Sequence, residues 1–464
     1  MTRRSRWSRN SSRPTESTGM DCLVIAAGRG SRMREEWDGK PLVPVLGIPL
    51  IERILRALAA AGLGKIYVVV GYRKEAICDF LGEVAVRLGV SIVPIPNDEW
   101  EGENGTSVLK GRELLSGSFL LVMADHLFDP AILPPMLRLP LPEGSIALGT
   151  DHRLANPLVD LEDVTRVEVA DGKIRAIGKL LEKFNGFDTG IFRCTPAIFE
   201  ALERNVRENG DASLTGAVRL LAGEGRALAY DIGSRFWIDV DDPAALRLAE
   251  KALLKTLRDK ANDGPVARYL NRPLSIRISR VLARFPVTPN FISLTSFFCS
   301  LLAAGLFVLG GYPALALGGL LAQVASIVDG CDGEIARLKF QSSDYGGWLD
   351  AVLDRYADAL LLFGLTWHHF AAHGETWILP VGFAAILGSF MLSYTADKYD
   401  SLMKARFGGQ RFRLGRDVRV FAVFLGAVFN LVAPTLVAIA LVMNLETLRR
   451  VIIGRERENG DGRH

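Results

Sequence analysis

Cysteine is scarce in this chain. Its 464 residues hold five, Cys22, Cys78, Cys194, Cys299 and Cys331, scattered and without a C-x-x-C pair. Neither a disulfide framework nor a cysteine-based zinc site is suggested, and a reducing cytosolic setting suits the water-soluble part. A surplus of one charge is also missing. Against 55 Lys and Arg stand 52 Asp and Glu, a formal net charge of +3, which argues against a nucleic-acid binder working through bulk charge. The first nineteen residues have no apolar core and are rich in Ser and Arg, so a disordered basic tail is expected there and not a secretory signal. Hydrophobic residues at 49% and charged ones at 23% exclude a wholly disordered or collagen-like chain.

What is present falls into two unlike halves. The mean hydropathy of +0.20 is high for a purely soluble enzyme and reads as an average over a soluble part and a membrane part. Residues 20–258 alternate short β-rich runs (CLVIAA, KIYVVVGY, VSIVPIP, FLLVMAD, GSIALGT) with helix-length stretches such as 50–61 and 74–88. That alternation implies a Rossmann-like α/β domain with a mostly parallel sheet covered on both faces.

After Pro286, apolar stretches run through 291–309, 313–328, 348–370, 377–394 and 418–443. The last exceeds one span of roughly 20 residues and carries Asn430 and Pro434 near its middle. Split there, it completes an all-α domain of six transmembrane helices over 287–450, followed by a polar tail, 451–464. Arg and Lys crowd the segments before the first span, between the second and third, between the fourth and fifth, and after the sixth. The positive-inside rule then places both termini in the cytoplasm of a cell-membrane protein. Residues 259–286 link the halves. Within them Leu274, Ile278, Val281, Leu282 and Phe285 share one helical face, with Arg277, Arg280 and Arg284 opposite. This is either an amphipathic helix in the cytoplasmic interface or a surface helix of the α/β domain.

The sharpest chemical signal is acidic. Asp329 and Asp332 are spaced i, i+3 and Asp350 and Asp354 i, i+4, so each pair shares a helix face. Turned towards each other, the two helices make a four-carboxylate pocket. Such charges repel and would take up protons unless cations neutralise them, and hard divalent ions, Mg²⁺ or Mn²⁺, are natural occupants that could clamp a diphosphate. Gly333 and Gly346 leave room for a nucleotide near the backbone. Solvated helix-end aspartates would account for Asp329 and Asp332 but poorly for Asp350 and Asp354, which lead into an apolar run. Arg416 and Arg419, at i and i+3, either belong to a positive-inside loop with Lys398, Lys404, Arg406, Arg411 and Arg413 or hold a phosphate by bidentate contacts. His368, His369 and His373 read as an interfacial loop on the outer side, since no third ligand accompanies them.

Read as D-x-x-D-G-x-x-A-R-x8-G-x3-D-x3-D, residues 329–354 resemble the signature of CDP-alcohol phosphotransferases at every motif position. Those membrane enzymes move a phosphoalcohol from a CDP-alcohol to a second alcohol, releasing CMP. The resemblance implies that Asp329, Asp332 and Asp350 ligate metal, and that Asp354 joins the metal site and acts as general base towards the acceptor hydroxyl. It also implies a nucleotide seat at Gly333, Arg337 and Gly346.

In the soluble half the first strand runs into Ala27-Gly28-Arg29-Gly30-Ser31-Arg32-Met33. A strand, a glycine-rich turn and a helix can cradle phosphates on backbone amides, although such a turn also has a plain structural use. Arg32 and Lys40 would neutralise a triphosphate. With Asn104-Gly105-Thr106-Ser107, Asp125 after LLVMA, Asp188-Thr189-Gly190 and Trp237-Ile238-Asp239-Val240-Asp241, the set resembles nucleotidyltransferases that activate sugar phosphates and related alcohol phosphates. By that resemblance Asp125 and Asp239 hold Mg²⁺, while Gly28, Arg29, Gly30, Asn104 and Ser107 seat the nucleotide. Lys179 and Thr189 seat the phosphoalcohol. Without it, Asp125 reads equally as a helix N-cap and one of Asp239, Asp241 and Asp242 as a cap for the helix from Pro243.

The two halves share an intermediate most simply if the first makes a CDP-alcohol from CTP and a phosphorylated polyol and the second consumes it. The pairing resembles the family of bifunctional enzymes that make CDP-inositol from inositol 1-phosphate and couple it to another inositol 1-phosphate. A lipid or glycerol acceptor, and a non-catalytic regulatory soluble half, remain the alternatives. The expected partners are these substrates and a lipid bilayer, no nucleic acid, and room for a homodimer through the membrane part.

Overall fold

Short aliphatic and β-branched runs become strands, and the longer amphipathic stretches between them become the covering helices. The computed structural model describes residues 19–33, 39–258, 263–398 and 415–461. The basic tail before residue 19 and Lys404, Arg406, Arg411 and Arg413 lie outside the described residues. The chain divides into two compact units, Met1–Ala252 and Leu253–His464.

In the first unit the strands are β1 (Cys22–Ala26), a small ribbon of β2 (Pro44–Val45) and β3 (Ile48–Pro49), β4 (Ile66–Val70), β5 (Ile92–Pro96), β6 (Phe119–Met123), β7 (His126–Phe128), β8 (Ile146–Asp151), β9 (Arg166–Ala170), β10 (Lys173–Gly178), β11 (Gly186–Cys194), β12 (Ala227–Asp231) and β13 (Trp237–Asp239). The helices are α1 (Leu50–Ala60), α2 (Lys74–Leu88), α3 (Asn104–Leu109), α4 (Leu133–Arg138), α5 (Ala197–Asn209), α6 (Leu214–Gly223) and α7 (Pro243–Thr256). Nine strands form one sheet in the order β5-β4-β1-β6-β11-β8-β12-β10-β9. Strands β5, β4, β1 and β6 run parallel, and β1 and β4 are buried along their whole length, as a sheet covered on both faces requires.

The expected mostly parallel sheet holds for this half; in the other half only β12 and β8 pair parallel. Beyond β6, strand β11 pairs antiparallel with both β6 and β8, and β9 and β10 form a hairpin. The cause is local. Asp171 and Gly172 take φ of 54° and 70°, the two positive angles of the tight turn that matches strand twist. The chain leaves β1 towards β4 and β5, then returns on the other side as β6. That reversal opens a crevice at the carboxyl ends of the parallel strands, where α/β sheets bind ligands.

The second unit is helical, with α8 (Arg272–Leu282), α9 (Pro289–Leu309), α10 (Tyr312–Leu338), α11 (Asp344–His373), α12 (Ile378–Lys398), α13 (Arg416–Val428) and α14 (Val432–Asp461). Four segments among the described residues are long and apolar enough to cross a membrane: all of α9 and α10, Ile378–Thr395 and Val432–Ile452. Helix α11 carries carboxylates through its first half, and α13 is only 13 residues long. The final apolar stretch does break at Asn430, which adopts φ 54°. The histidine group lies in the last turns of α11, not in a loop: His368 bonds the Phe307 carbonyl and His369 bonds Glu375.

Helix α8 turns Arg272, Ser275, Ile276 and Ser279 inward against α10. Its apolar side chains Leu274, Ile278, Val281 and the following Phe285 are exposed instead. A small polar seam therefore faces the protein, and the greasy face is left outward.

In the first unit Phe119 and Phe199 stack at 5.4 Å within the core between the sheet and α5. Replacing Phe199 by Ala should cost about 3–5 kcal/mol, read as a lowered unfolding midpoint of the full chain in denaturant.

Candidate active sites

At the end of β1 the turn through Gly28 and Gly30 lines a cavity of about 280 Å³ with Arg32, Lys40, Pro41, Asp125 and Asp241. Gly30 takes φ 66°, and a Cβ there would meet the Lys40 side chain at 2.5 Å. The glycine is what lets Lys40 enter. A cavity of about 460 Å³ shares Arg32, Asp125 and Asp241 with the first and adds Asn104, His126, Asp163, Lys179, Asp188, Trp237 and Asp239.

A short antiparallel ribbon gathers the acids. Strand β13 pairs with β7 so that Asp239 lies opposite His126, and the Val240 N–H donates to the Asp125 carbonyl at 3.0 Å. Lys40 Nζ donates to Asp125 Oδ2 at 2.8 Å, approaches Asp239 Oδ1 at 3.4 Å and also pairs with Asp241. Burial alone would lower the Lys40 pKa, but the three carboxylates raise it well above the ordinary lysine value. His126 behaves likewise: burial opposes its charge, yet Asp239 and Asp125 push it up to about 10. Burial raises Asp188 and Asp241 to about 6 each. Asp239 is held below the usual carboxylate range, because His126 and Lys40 outweigh its burial.

Arg32 and Lys179 both clasp Asp163, at 2.6 and 2.5 Å. Ser107 and Thr189 line neither cavity. Ser107 accepts from Asn97 at 3.0 Å, and Thr189 donates to the Gly149 carbonyl at 2.8 Å; both hold the walls. Arg29 places its guanidinium over the Tyr72 ring, 5.0 Å from its centre, outside both cavities. Asn104 lines the larger cavity and its side-chain oxygen accepts from the Leu214 N–H that opens α6.

In the second unit Asp329, Asp332, Gly333, Arg337, Asp350, Asp354 and Arg416 line a cavity of about 300 Å³ between α10, α11 and α13. The i, i+3 and i, i+4 pairs do face each other. Ser293 and Ser296 of α9 donate to Asp332 and Asp329 at 2.6 and 3.0 Å. Arg416 Nη1 stands 2.7 Å from both Asp329 and Asp354, and its Nε reaches Asp358 at 3.2 Å. Arg419 differs from the phosphate-holding expectation. It is buried, donates to Asp358 at 2.7 Å and to Ser393 at 3.2 Å, and does not line the cavity. Gly346 sits in the first turn of α11 under the Ser343 cap, outside the cavity lining.

Both sites suit a divalent cation. Asp125, His126 and Asp239 in one, and Asp329, Asp350 and Asp354 in the other, each bring three donor atoms within 4.8 Å of one another. One buried oxygen in each set, Asp125 Oδ1 and Asp350 Oδ1, has no hydrogen-bond partner, and an orphaned buried acceptor calls for a ligand. His126, Asp163 and the serines of α9 were not legible as site residues. For His126 the signal was its place directly after Asp125 at a strand end; Asp163 carries none.

A glycine-lined crevice with clustered acids, fused to a helical unit with four facing carboxylates, fits a nucleotidyltransferase joined to a CDP-alcohol phosphotransferase. Residues 22–171 match the MobA-like NTP transferase domain and residues 286–448 the CDP-alcohol phosphatidyltransferase family. The "Bifunctional IPC transferase and DIPP synthase" of Rubrobacter xylanophilus is 38% identical over 95% of this chain and 98% of its own. That of Aquifex aeolicus is 32% identical over 93% and 97%. A solved inositol-1-phosphate CTP transferase from T. maritima is 27% identical over 51% of this chain and 97% of its own, with a TM-score of 0.45. The chain belongs to the family of bifunctional IPC transferases and DIPP synthases.

Strand β13 is anchored by charge. The Trp237 indole N–H donates to Asp151 at 2.9 Å, and Arg153 and Asn156 donate to the same buried carboxylate. Burial would raise the Asp151 pKa, but these bonds hold it below the usual range. Its contribution is therefore complete above the unfolded pKa of about 3.9 and is lost as pH falls through the lower folded value. Asp151→Asn should lower stability by roughly 1–3 kcal/mol at neutral pH. Thermal unfolding against pH should show the gap from wild type closing below about pH 3.9.

Proposed function

We propose that the first unit joins CTP to inositol 1-phosphate and that the membrane unit passes the resulting phosphoinositol to a second inositol 1-phosphate. In the first step an oxygen of the substrate phosphate attacks the α-phosphorus of CTP, and pyrophosphate leaves. In the second the acceptor hydroxyl attacks the inositol-bearing phosphorus of CDP-inositol, and CMP leaves. The observation that carries this reading is the pair of acid-lined cavities, one in each fused unit, each with a basic side chain, Lys40 or Arg416, set among its carboxylates.

In the first cleft Gly28 and Gly30 let the nucleotide approach the backbone, Arg32 and Lys40 neutralise its phosphates, and Asn104 and Lys179 line the substrate side. Asp125 and Asp239 would hold Mg²⁺ or Mn²⁺. In the membrane unit Asp329, Asp332, Asp350 and Asp354 would hold the same class of ion. A bound cation supplies charge neutralisation at the transferring phosphoryl group. Asp354 takes the acceptor hydroxyl proton, Gly333 and Arg337 face the nucleotide, and Arg416 receives the acceptor phosphate. Arg419 supports Arg416 through Asp358.

The membrane unit sits in the cell membrane with six spans and both termini in the cytoplasm, a reading supported by the basic segments between its helices. Leu274, Ile278, Val281 and Phe285, exposed on and just after α8, suit the headgroup layer, so residues 259–286 serve as the linker and as an interfacial helix at the bilayer. A homodimer through the membrane helices completes the assembly.

Mass spectrometry of products from detergent-solubilised protein given CTP and inositol 1-phosphate should find a water-soluble inositol phosphodiester that keeps one phosphate. A product partitioning into organic solvent would point to a lipid acceptor and overturn the assignment. Asp239→Asn should cut pyrophosphate release from CTP by roughly a hundredfold or more while CMP release from supplied CDP-inositol continues. Asp354→Asn should do the reverse by a similar factor. Normal CMP release by the latter would remove Asp354 from the chemistry.

A further inference from the structure

The carboxylates of Asp125 and Asp239 each have two oxygens, and the fold uses them differently. Asp125 Oδ2 and Asp239 Oδ1 face Lys40, at 2.8 and 3.4 Å. The other pair, Asp125 Oδ1 and Asp239 Oδ2, faces His126 Nε2, at 3.8 and 3.3 Å. Asp125 Oδ1 is buried and has no hydrogen-bond partner, and 3.8 Å from Nε2 is too far for one.

The imidazole is firmly seated. Its Nδ1 lies 2.8 Å from the Thr189 carbonyl oxygen, an atom that can only accept, so Nδ1 carries the proton and donates it there. Gly190 packs against the ring, and a Cβ at that position would fall 1.9 Å from Nδ1. The φ of 72° at Gly190 also disfavours any larger residue. One ring nitrogen bound to a backbone carbonyl, with the other aimed at a ligand position, is the arrangement of a metal-ligating histidine.

We propose that His126 is the third protein ligand of the cation in the nucleotidyltransferase cleft, giving that site one nitrogen and two oxygens. One ligand atom from each of Asp125, Asp239 and His126 lies within 4.8 Å of the other two, close enough for these side chains to close around a single ion. Lys40 keeps the opposite oxygens and need not move. The positions left open face the larger cavity, where nucleotide phosphates and water complete the shell. Imidazole favours Mn²⁺ or Co²⁺ over Mg²⁺, which prefers oxygen, so the site discriminates towards the transition metal. The proposal rests on reading this cleft as the CTP site.

Electron spin-echo spectroscopy of the full-length chain in detergent, with Mn²⁺ and CTP, tests it. The carboxylate cluster of the membrane unit has no histidine among its described members, so a histidine nitrogen coupled to Mn²⁺ reports the first unit. The expected result is a ¹⁴N coupling that becomes ¹⁵N when only histidine is labelled. It should vanish in His126→Gln and weaken in Gly190→Ala. Mn²⁺ affinity in His126→Gln should fall on the order of tenfold, with Mg²⁺ affinity changed far less. No histidine coupling in wild type, or coupling that persists in His126→Gln, overturns the assignment. Labelled wild type decides the matter even if a variant fails to fold. If wild type releases pyrophosphate from CTP without such a coupling, the ligand assignment falls and the CTP reading stands. If the coupling is present and no CTP turns over, the CTP reading falls and the ligand stands.

Discussion

Carboxylates gathered in a cavity repel one another, and in each unit one largely enclosed side-chain cation is shared among several of them. In the α/β unit the balancing group is Lys40, shared by Asp125, Asp239 and Asp241. In the helical unit it is Arg416, shared by Asp329, Asp354 and Asp358. The two devices come from unrelated architectures: a strand-end turn with Gly30 making room, and the first turn of a helix entering a bundle. Both offset part of the repulsion among acids at close quarters, the setting in which a divalent ion and a polyphosphate are received.

The helical site was the more legible of the two, for a geometric reason. Spacings of three and four residues put side chains on one face of a helix wherever that helix goes. Asp329 with Asp332 and Asp350 with Asp354 therefore announced a pocket before any packing was known. Two consecutive apolar helices joined by a short connection then had few ways to meet except with those faces together. The break at Asn430 was legible as well, because a polar residue and Pro434 interrupt a stretch too long for one crossing.

The α/β site was less so, because its donors come from distant strands. Asp239 meets His126 through the β7–β13 ribbon, a pairing over more than a hundred residues that leaves no local periodicity. The Asp171-Gly172 turn, by contrast, is a local hairpin signal, and the parallel-sheet expectation passed over it. Arg419 shows a different limit. Its spacing from Arg416 suggested a phosphate clamp, yet Asp358, one turn beyond Asp354, draws it into the interior. Spacing says which residues share a face, and not which partner waits there.

The bundle's turns have a consequence for traffic. Helices α9 and α10 are joined by Gly310 and Gly311 alone, α11 and α12 by residues 374–377, and α13 and α14 by residues 429–431. All three connections lie at the ends of α10 and α11 remote from the carboxylates, and none is long enough to build a vestibule. These three connections gather at one end of the bundle, and the carboxylate cavity lies towards the other. The acidic site therefore belongs to one face of the bundle and is set apart from its tight turns.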